Sequence, residues 1–378
     1  MRALPIEAVR PGMVLARTVR VDGRPFLRAG QQIKPSYLAH FKRFGIPSLC
    51  IDDGRGDVVA MDDVLAEQTR TEAFQAVKQA MLEAKNGTIL APDLVTGAAQ
   101  RILDDVLADP YVLVHLADIR AMRDYTFAHS VTVAAYAALL GVHRGLHQLN
   151  LRELTVGALL HDIGKMCIPN EIWNKSEPLN ERELTEIQRH TVLGFQLLRK
   201  VPGLSTLAAH VAYQHHERYN GSGYPRGLRG EEIQLFSRIT AVVDVYDALT
   251  SDRIYRAAHT PLEAAQYLAQ HRRSLFDEAI VNTFLRRVAL YPAGSLVRLS
   301  DGAMALVVEV RKELPARPIV KLLNRPDGHV IDLAATPDLT VAEVLPDEAL
   351  EGLQGRPQSA SGGVTATGAS NWSNRHTM

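Results

Sequence analysis

The sequence predicts a mainly α protein: an all-helical metal-binding domain flanked by a small N-terminal α+β domain and a small C-terminal β unit. Three observations predict it. Apolar residues recur at helical spacing from about Leu103 to Tyr291. On either side the pattern shortens to brief apolar runs punctuated by Gly, Pro and Asp-Gly. Within the helical stretch, histidines and aspartates stand among apolar residues, where burial is costly unless they bind a cation or are fully hydrogen-bonded.

In residues 1–60, Arg10-Pro11-Gly12 and Asp22-Gly23 are turn signals. Val19 and Val21 alternate with charged residues before Asp22-Gly23, and Pro25-Phe26-Leu27 resumes after it, which predicts a hairpin. A short helix from Ser36 to Phe44 follows, closed by Gly45. Residues 61–102, rich in Ala, Glu, Gln and Lys, read as a helical linker into the domain at 103–291. There, Asn180 with Glu183 three residues on predicts a capping box. Ile187, His190, Gly194 and Leu197 then share one face of the helix that follows. The unit at 292–347 holds four short strands, 296–299, 305–308, 318–322 and 330–333, separated by Asp301-Gly302 and Pro326-Asp327-Gly328. The tail at 348–378 is Ser-, Gly-, Ala- and Thr-rich from Gln358 and is expected to be disordered.

A chain of 378 residues suits two or three structural units. Lys plus Arg and Asp plus Glu both number 42. Without a basic excess, a nucleic-acid polymer is not expected as a partner, whereas a small anionic ligand needs only a local basic site. Two cysteines, Cys50 and Cys167, fit a reducing compartment and no disulfide framework. Arg2, Glu7 and Arg10 interrupt any apolar leader. The longest apolar run, Val131 to Val142, is shorter than the roughly 18 residues of a membrane span. A cytoplasmic protein without a membrane span is expected.

The chemistry concentrates in HDIGK, residues His161 to Lys165, and in the adjacent pair His215-His216. A His-Asp dipeptide joins an imidazole donor to a carboxylate able to bridge two cations, a mixture that borderline and hard divalent metals accept. His215 and His216, if helical, project about 100° apart and could each reach a different metal. Lys165 sets a cation beside that site, which suits an anionic substrate. Singly, His129 and His190 read as core-edge histidines, and a buried His-Asp pair as a hydrogen-bonded couple. Asp244 lies on an apolar helix with Asp247 three residues on. Taken together, this density of helix-borne histidines and aspartates favours a metal site and a two-metal hydrolase of phosphate esters.

HDIGK, HHERYNGSGYP and VDVYDALTSDRIY, in that order, resemble the motifs of the HD-GYP family, phosphodiesterases that hydrolyse cyclic di-GMP. The likeness runs from about Leu103 to Leu290, and residues 1–60 resemble the small domain of unknown function that often precedes such HD-type domains. The resemblance implies metal ligands at His129, His161, Asp162, His190, His215, His216 and Asp244, with Asp162 bridging two divalent ions, iron or manganese. Asp162 and Lys165 would be the catalytic pair. Lys165 and Arg253 would hold the scissile phosphate, and Tyr224 would shape the substrate pocket. Family members also bind diguanylate cyclase domains through the Gly-Tyr-Pro loop, and a homodimer is compatible with the same sequence. Three positions depart from the family pattern. Asn220 replaces an aspartate before the loop, Ile254 replaces a proline after Arg253, and Tyr125 stands where some relatives place a glutamate that binds a third metal.

Such a site implies a hydroxide held between metals about 3.5–4 Å apart, attacking phosphorus in line with the departing 3′ oxygen. The expected product is linear pGpG, cleaved only slowly to GMP. Two other readings compete: a hydrolase of another cyclic dinucleotide or nucleotide, and a non-catalytic nucleotide receptor or scaffold. The complete ligand set speaks against the second of these. Residues 1–60 and the unit after Pro292 contain no expected ligand, so both are expected to be dispensable for the chemistry.

Overall fold

The computed structural model describes residues 2–44, 46, 48–52, 64–88, 90–110, 119–120, 125–173, 175, 177–251, 258–323 and 328–346. Strands β1 (Arg2–Pro5), β2 (Val14–Leu15), β3 (Val19–Val21) and β4 (Arg24–Leu27) lead to helix α1 (Pro35–Arg43) and strand β5 (Ser48–Asp52). The expected hairpin forms. Asp22 and Gly23 take φ of 52° and 74°, and β3 returns antiparallel as β4. Pro35 opens α1 at a first-turn position, where its missing N–H costs nothing. Gly45, the expected terminator, lies outside the described residues. Leu15, Val19, Phe41 and Leu49 close a small separate core.

The stretch read as a linker is instead part of the helical core. Helices α2 (Glu67–Lys85) and α3 (Pro92–Ala108) bury Phe74, Val77, Met81, Ile102 and Val106 in one cluster that continues to Val288. Their apolar residues recur every three or four positions, a stripe masked in composition by the Glu, Gln and Lys around it. From the other side α2 receives the hairpin. Gln75 Nε2 donates to the Asp22 carbonyl at 2.8 Å, and Lys78 Nζ pairs with Asp22 Oδ1 at 2.5 Å. The short strand β6 (Ile119–Arg120) pairs in parallel with β3, giving the sheet order β4-β3-β6.

The rest of the domain is α4 (Tyr125–His143), α5 (Gln148–Leu159), α6 (Asn170–Trp173), α7 (Glu181–Gln188), α8 (His190–Leu198), α9 (Thr206–Gln214), α10 (Leu235–Thr250), α11 (Pro261–His271) and α12 (Glu278–Leu285). Every residue of α4 from His129 to Gly141 is buried, as befits a helix apolar on all sides. By length and composition α4 is long and apolar enough to cross a membrane, contrary to the shorter run read from sequence. Its most apolar window is 72% buried inside the domain, packed chiefly on α5 and α10. The Asn180–Glu183 capping box is present. The single helix expected after it breaks into α7 and α8 at Arg189, because the His190 ring takes up the Ile187 carbonyl at 2.7 Å.

The C-terminal unit is a five-stranded antiparallel sheet ordered β10-β9-β8-β7-β11. Its strands are β7 (Leu296–Leu299), β8 (Met304–Glu309), β9 (Ile319–Leu322), β10 (Val330–Asp332) and β11 (Val341–Leu345). The sequence reading lacks β11, an edge strand whose residues are mostly half-buried or exposed and so show little apolar alternation. The Lys312 ammonium pairs with the Asp109 carboxylate beyond α3. The tail from 347 onward lies outside the described residues.

Because Phe74 is buried between the hairpin and the helical core and meets Phe127 edge-on at 5.6 Å, Phe74→Ala is expected to cost about 3–5 kcal/mol. Denaturant unfolding of the full chain measures it.

Candidate metal centre

Five segments far apart in sequence deliver the donor residues. His129 comes from α4; His161 and Asp162 follow the end of α5; His190 opens α8; His215 and His216 close α9; Asp244 lies on α10. All seven are buried. After Asp162 the chain tightens into a 3-10 turn, Ile163–Cys167, that packs against α8. Gly164 makes this possible, since a Cβ there would stand 2.0 Å from the His190 carbonyl oxygen and 2.5 Å from Gly194 N. The glycine of HDIGK therefore brings His190 against the His-Asp pair.

The donors fall into two sets, one of Asp162, His190, His215 and His216, the other of His129, His161 and Asp244. Asp162 stands between them. Its Oδ2 lies 3.4 Å from His161 Nε2 and 4.0 Å from His129 Nε2. Its Oδ1 lies 3.6 Å from His190 Nε2 and 3.7 Å from His215 Nε2. Asp244 Oδ1 completes the second set, 3.1 Å from His129 Nε2. His215 and His216 share one set rather than facing different ones, because the chain leaves α9 at His215 and the two rings sit 4.1 Å apart.

Hydrogen bonds fix which nitrogens face inward. Nδ1 of His161, His190 and His215 lies 2.7, 2.7 and 3.0 Å from the carbonyls of Ala158, Ile187 and Val211. A carbonyl only accepts, so each Nδ1 carries the proton and each Nε2 presents a lone pair. His190 Nε2 and His215 Nε2 are thus two lone pairs 3.3 Å apart, an arrangement that a shared cation relieves. Among the described residues, His161 Nε2 and Asp162 Oδ1 are buried without a hydrogen-bond partner. Orphaned buried acceptors, neutral imidazoles and carboxylates together fit divalent metal ions.

The electrostatics agree. Burial pushes His190 down to about 3 against the pull of Asp162, and burial likewise lowers His215 and His216. All three are neutral donors at physiological pH. Burial opposes ionisation of Asp162, yet the Lys165 ammonium beside it holds its carboxyl well below the usual carboxylate range. Burial opposes charge on His129 too, but Tyr125, Asp244 and Asp247 raise it well above the ordinary imidazole value, a charge that a cation would replace.

Around the donors, Lys165 Nζ lies 2.5 Å from Asp162 Oδ2. The Tyr224 ring stacks on His216 at 4.8 Å and 22°, and its buried hydroxyl has no partner among the described residues. Gly223 lets this loop fold tightly, since a Cβ there would stand 2.3 Å from Arg218 N and 2.4 Å from the His216 oxygen. Asn220 Oδ1 accepts from Ser222 N and Oγ at 3.0 and 2.7 Å, the turn bonds expected of an aspartate. Tyr125 stacks on His129 with ring planes 11° apart. Arg253 and Ile254 lie outside the described residues.

Two carboxylates outside the expected set have defined positions. Glu217 accepts from the N–H groups of Arg226 and Leu228 at 2.8 and 3.0 Å, tying down the Gly-Tyr-Pro loop. Asp247 Oδ2 accepts from His129 Nδ1 at 2.6 Å. The signal for Asp247 was its spacing three residues after Asp244, which places both on one face of α10.

Comparison with known proteins bears on the helical domain that carries this cluster. Residues 110–280 match the HD domain, and residues 296–353 match a KOW domain associated with HD domains. Residues 110–280 are thus similar to the HD domain family, and with HDIGK and GSGYP they resemble its HD-GYP members. It is 35% identical over 252 residues to a cyclic di-GMP phosphodiesterase of Pseudomonas aeruginosa, covering 67% of this chain and 61% of the relative. It is 42% identical over 151 residues to a cyclic di-GMP phosphodiesterase response regulator of Xanthomonas campestris, 40% of each chain. It is 34% identical over 190 residues to a 3'3'-cGAMP-specific phosphodiesterase of Vibrio cholerae, covering 50% of this chain and 41% of the relative. The chain thus spans less than two thirds of each of these relatives.

Gly164→Ala is expected to push α8 away from the His-Asp pair. We expect a stability loss of about 1–3 kcal/mol and a fall in bound metal, read by thermal unfolding and by elemental analysis of the purified protein.

Proposed function

We propose that the protein is a metal-dependent phosphodiesterase that hydrolyses cyclic di-GMP to linear pGpG, with slow onward cleavage to GMP. The observation that carries this reading is Asp162, whose two oxygens face separate donor sets. Two bound divalent ions would supply Lewis acidity and a nucleophile at neutral pH. Iron and manganese suit a donor set rich in histidine and closed by carboxylates. His129, His161 and Asp244 would hold one ion, and His190, His215 and His216 the other, with Asp162 common to both. Lys165, already beside Asp162, would neutralise charge developing on the phosphoryl oxygens. Arg253 would hold the same phosphate, and Tyr224 would offer its buried hydroxyl at the pocket wall. The relatives' cyclic dinucleotide substrates support the substrate class.

A second reading, hydrolysis of 3'3'-cGAMP, is favoured by the resemblance to the Vibrio cholerae enzyme. The Gly-Tyr-Pro loop, held by Glu217, is the surface we assign to diguanylate cyclase domains. A cytoplasmic setting fits Cys50 and Cys167, which form no disulfide.

Incubation of the purified chain with cyclic di-GMP or 3'3'-cGAMP under anaerobic ferrous or manganous conditions tests the reading. Chromatography is expected to show pGpG, and faster turnover of the mixed dinucleotide would favour the second reading. No product from either would leave the receptor reading standing. Asp162→Ala is expected to lose metal and all measurable activity while keeping helical circular dichroism. Lys165→Ala should keep its metal and lose turnover by about 10²–10³-fold.

The site is further expected to hold two metals and not three. Tyr125 replaces the carboxylate that a third would use, and its phenol is a poor ligand at neutral pH. Glu217 and Asp247 are engaged by backbone amides and by His129. Elemental analysis of anaerobically purified protein should give about two ions per chain. About three, or rapid conversion to GMP, would contradict this.

A further inference from the structure

The rings of the donor sets are not oriented alike. His161, His190 and His215 direct Nδ1 to main-chain carbonyls. His129 directs Nδ1 to a carboxylate, Asp247 Oδ2, at 2.6 Å. Helix α10 thereby addresses both nitrogens of one ring, Asp244 Oδ1 at Nε2, 3.1 Å away, and Asp247 at Nδ1. The Asp247 carboxylate is itself buried, with Ser251 Oγ 3.4 Å from the same oxygen.

A carboxylate behind an imidazole does more than a carbonyl. It fixes the tautomer and also raises the electron density of the opposite nitrogen, which strengthens that nitrogen as a ligand. The two donor sets therefore differ in charge. The His129 set carries Asp244 and has Asp247 behind it, whereas the His190 set has three neutral imidazoles; Asp162 is common to both.

We propose that Asp247 is a positioning residue that acts through His129 to strengthen cation binding in the His129, His161 and Asp244 set, making the two cation sites unequal. The inference rests on the two-cation reading above. Asp247 binds no cation itself. It orients His129 with Nε2 aimed between Asp162 and Asp244, so that a cation there would take the place of the Nε2 proton, whereas a backbone carbonyl would supply orientation without charge.

The test is titration of the metal-depleted full chain with manganese(II) alone, followed by calorimetry and electron paramagnetic resonance. The unsubstituted chain should bind two ions and give the spectrum of an interacting pair. Asp247→Asn, equal in volume, should lose about 10–100-fold in affinity at one site. The other site should keep its affinity, and at limiting manganese the spectrum should be that of an isolated ion. Asp247→Glu should recover part of the loss. Should Asp247→Ala fail to fold, the Asn variant decides, because a residue that merely fills space would leave Asn with unsubstituted affinities. Unchanged binding in Asp247→Asn, or equal weakening of both sites, overturns the inference and leaves the two-cation reading intact. Fewer than two sites in the unsubstituted chain overturns that reading and the inference with it.

Discussion

Seven buried histidine and aspartate side chains converge, and their lone pairs and negative charges face one another. That is the constraint on which the rest of the domain depends. Two imidazole lone pairs 3.3 Å apart, beside an unpartnered carboxylate oxygen, are costly in a low-dielectric interior unless positive charge lies among them. In the metal-free chain, part of that charge comes from a proton on His129 and from Lys165 at Asp162. Divalent ions supply it more completely, so metal binding and the stability of this region are linked.

The helical scaffold makes such a cluster tolerable by locking each donor through its far side. Main-chain carbonyls at the ends of α5 and α9 and before α8 accept the Nδ1–H groups, so the same helix ends that would otherwise leave unpaired carbonyls orient the ligands. Close packing completes the arrangement. Gly164 lets the turn after Asp162 touch the start of α8, and the largely apolar, buried α4 carries His129 into the core.

Contacts also lead from this centre to the N-terminal unit. The β3–β4 turn bonds to α2 through Asp22, and α2 packs on the 3-10 turn that carries Lys165. The N-terminal domain therefore rests on α2, the helix that also packs on the turn after the His-Asp pair. The β sheet at the other end keeps its own core and is joined to α3 by the Lys312–Asp109 pair.

By itself, the sequence determined the fold class, the hairpin at Asp22-Gly23 and the Asn180 capping box, and it pointed to the seven histidines and aspartates that the fold brings together. These are written locally, in apolar period, turn residues and motifs such as HDIGK. It did not show that 61–102 joins the core, because amphipathic helices rich in Glu and Lys look alike whether they pack or connect. It did not show β11, whose edge position leaves little alternation, or the break at Arg189, which depends on where the His190 ring hydrogen-bonds. The division of donors also had to wait for tertiary structure. His215 and His216 belong to one set because of the turn ending α9, and Asp247 meets His129 across 118 positions of chain. Helical spacing reports which residues share a face of one helix, whereas only the packing of five segments decides which atoms of different helices come within bonding distance.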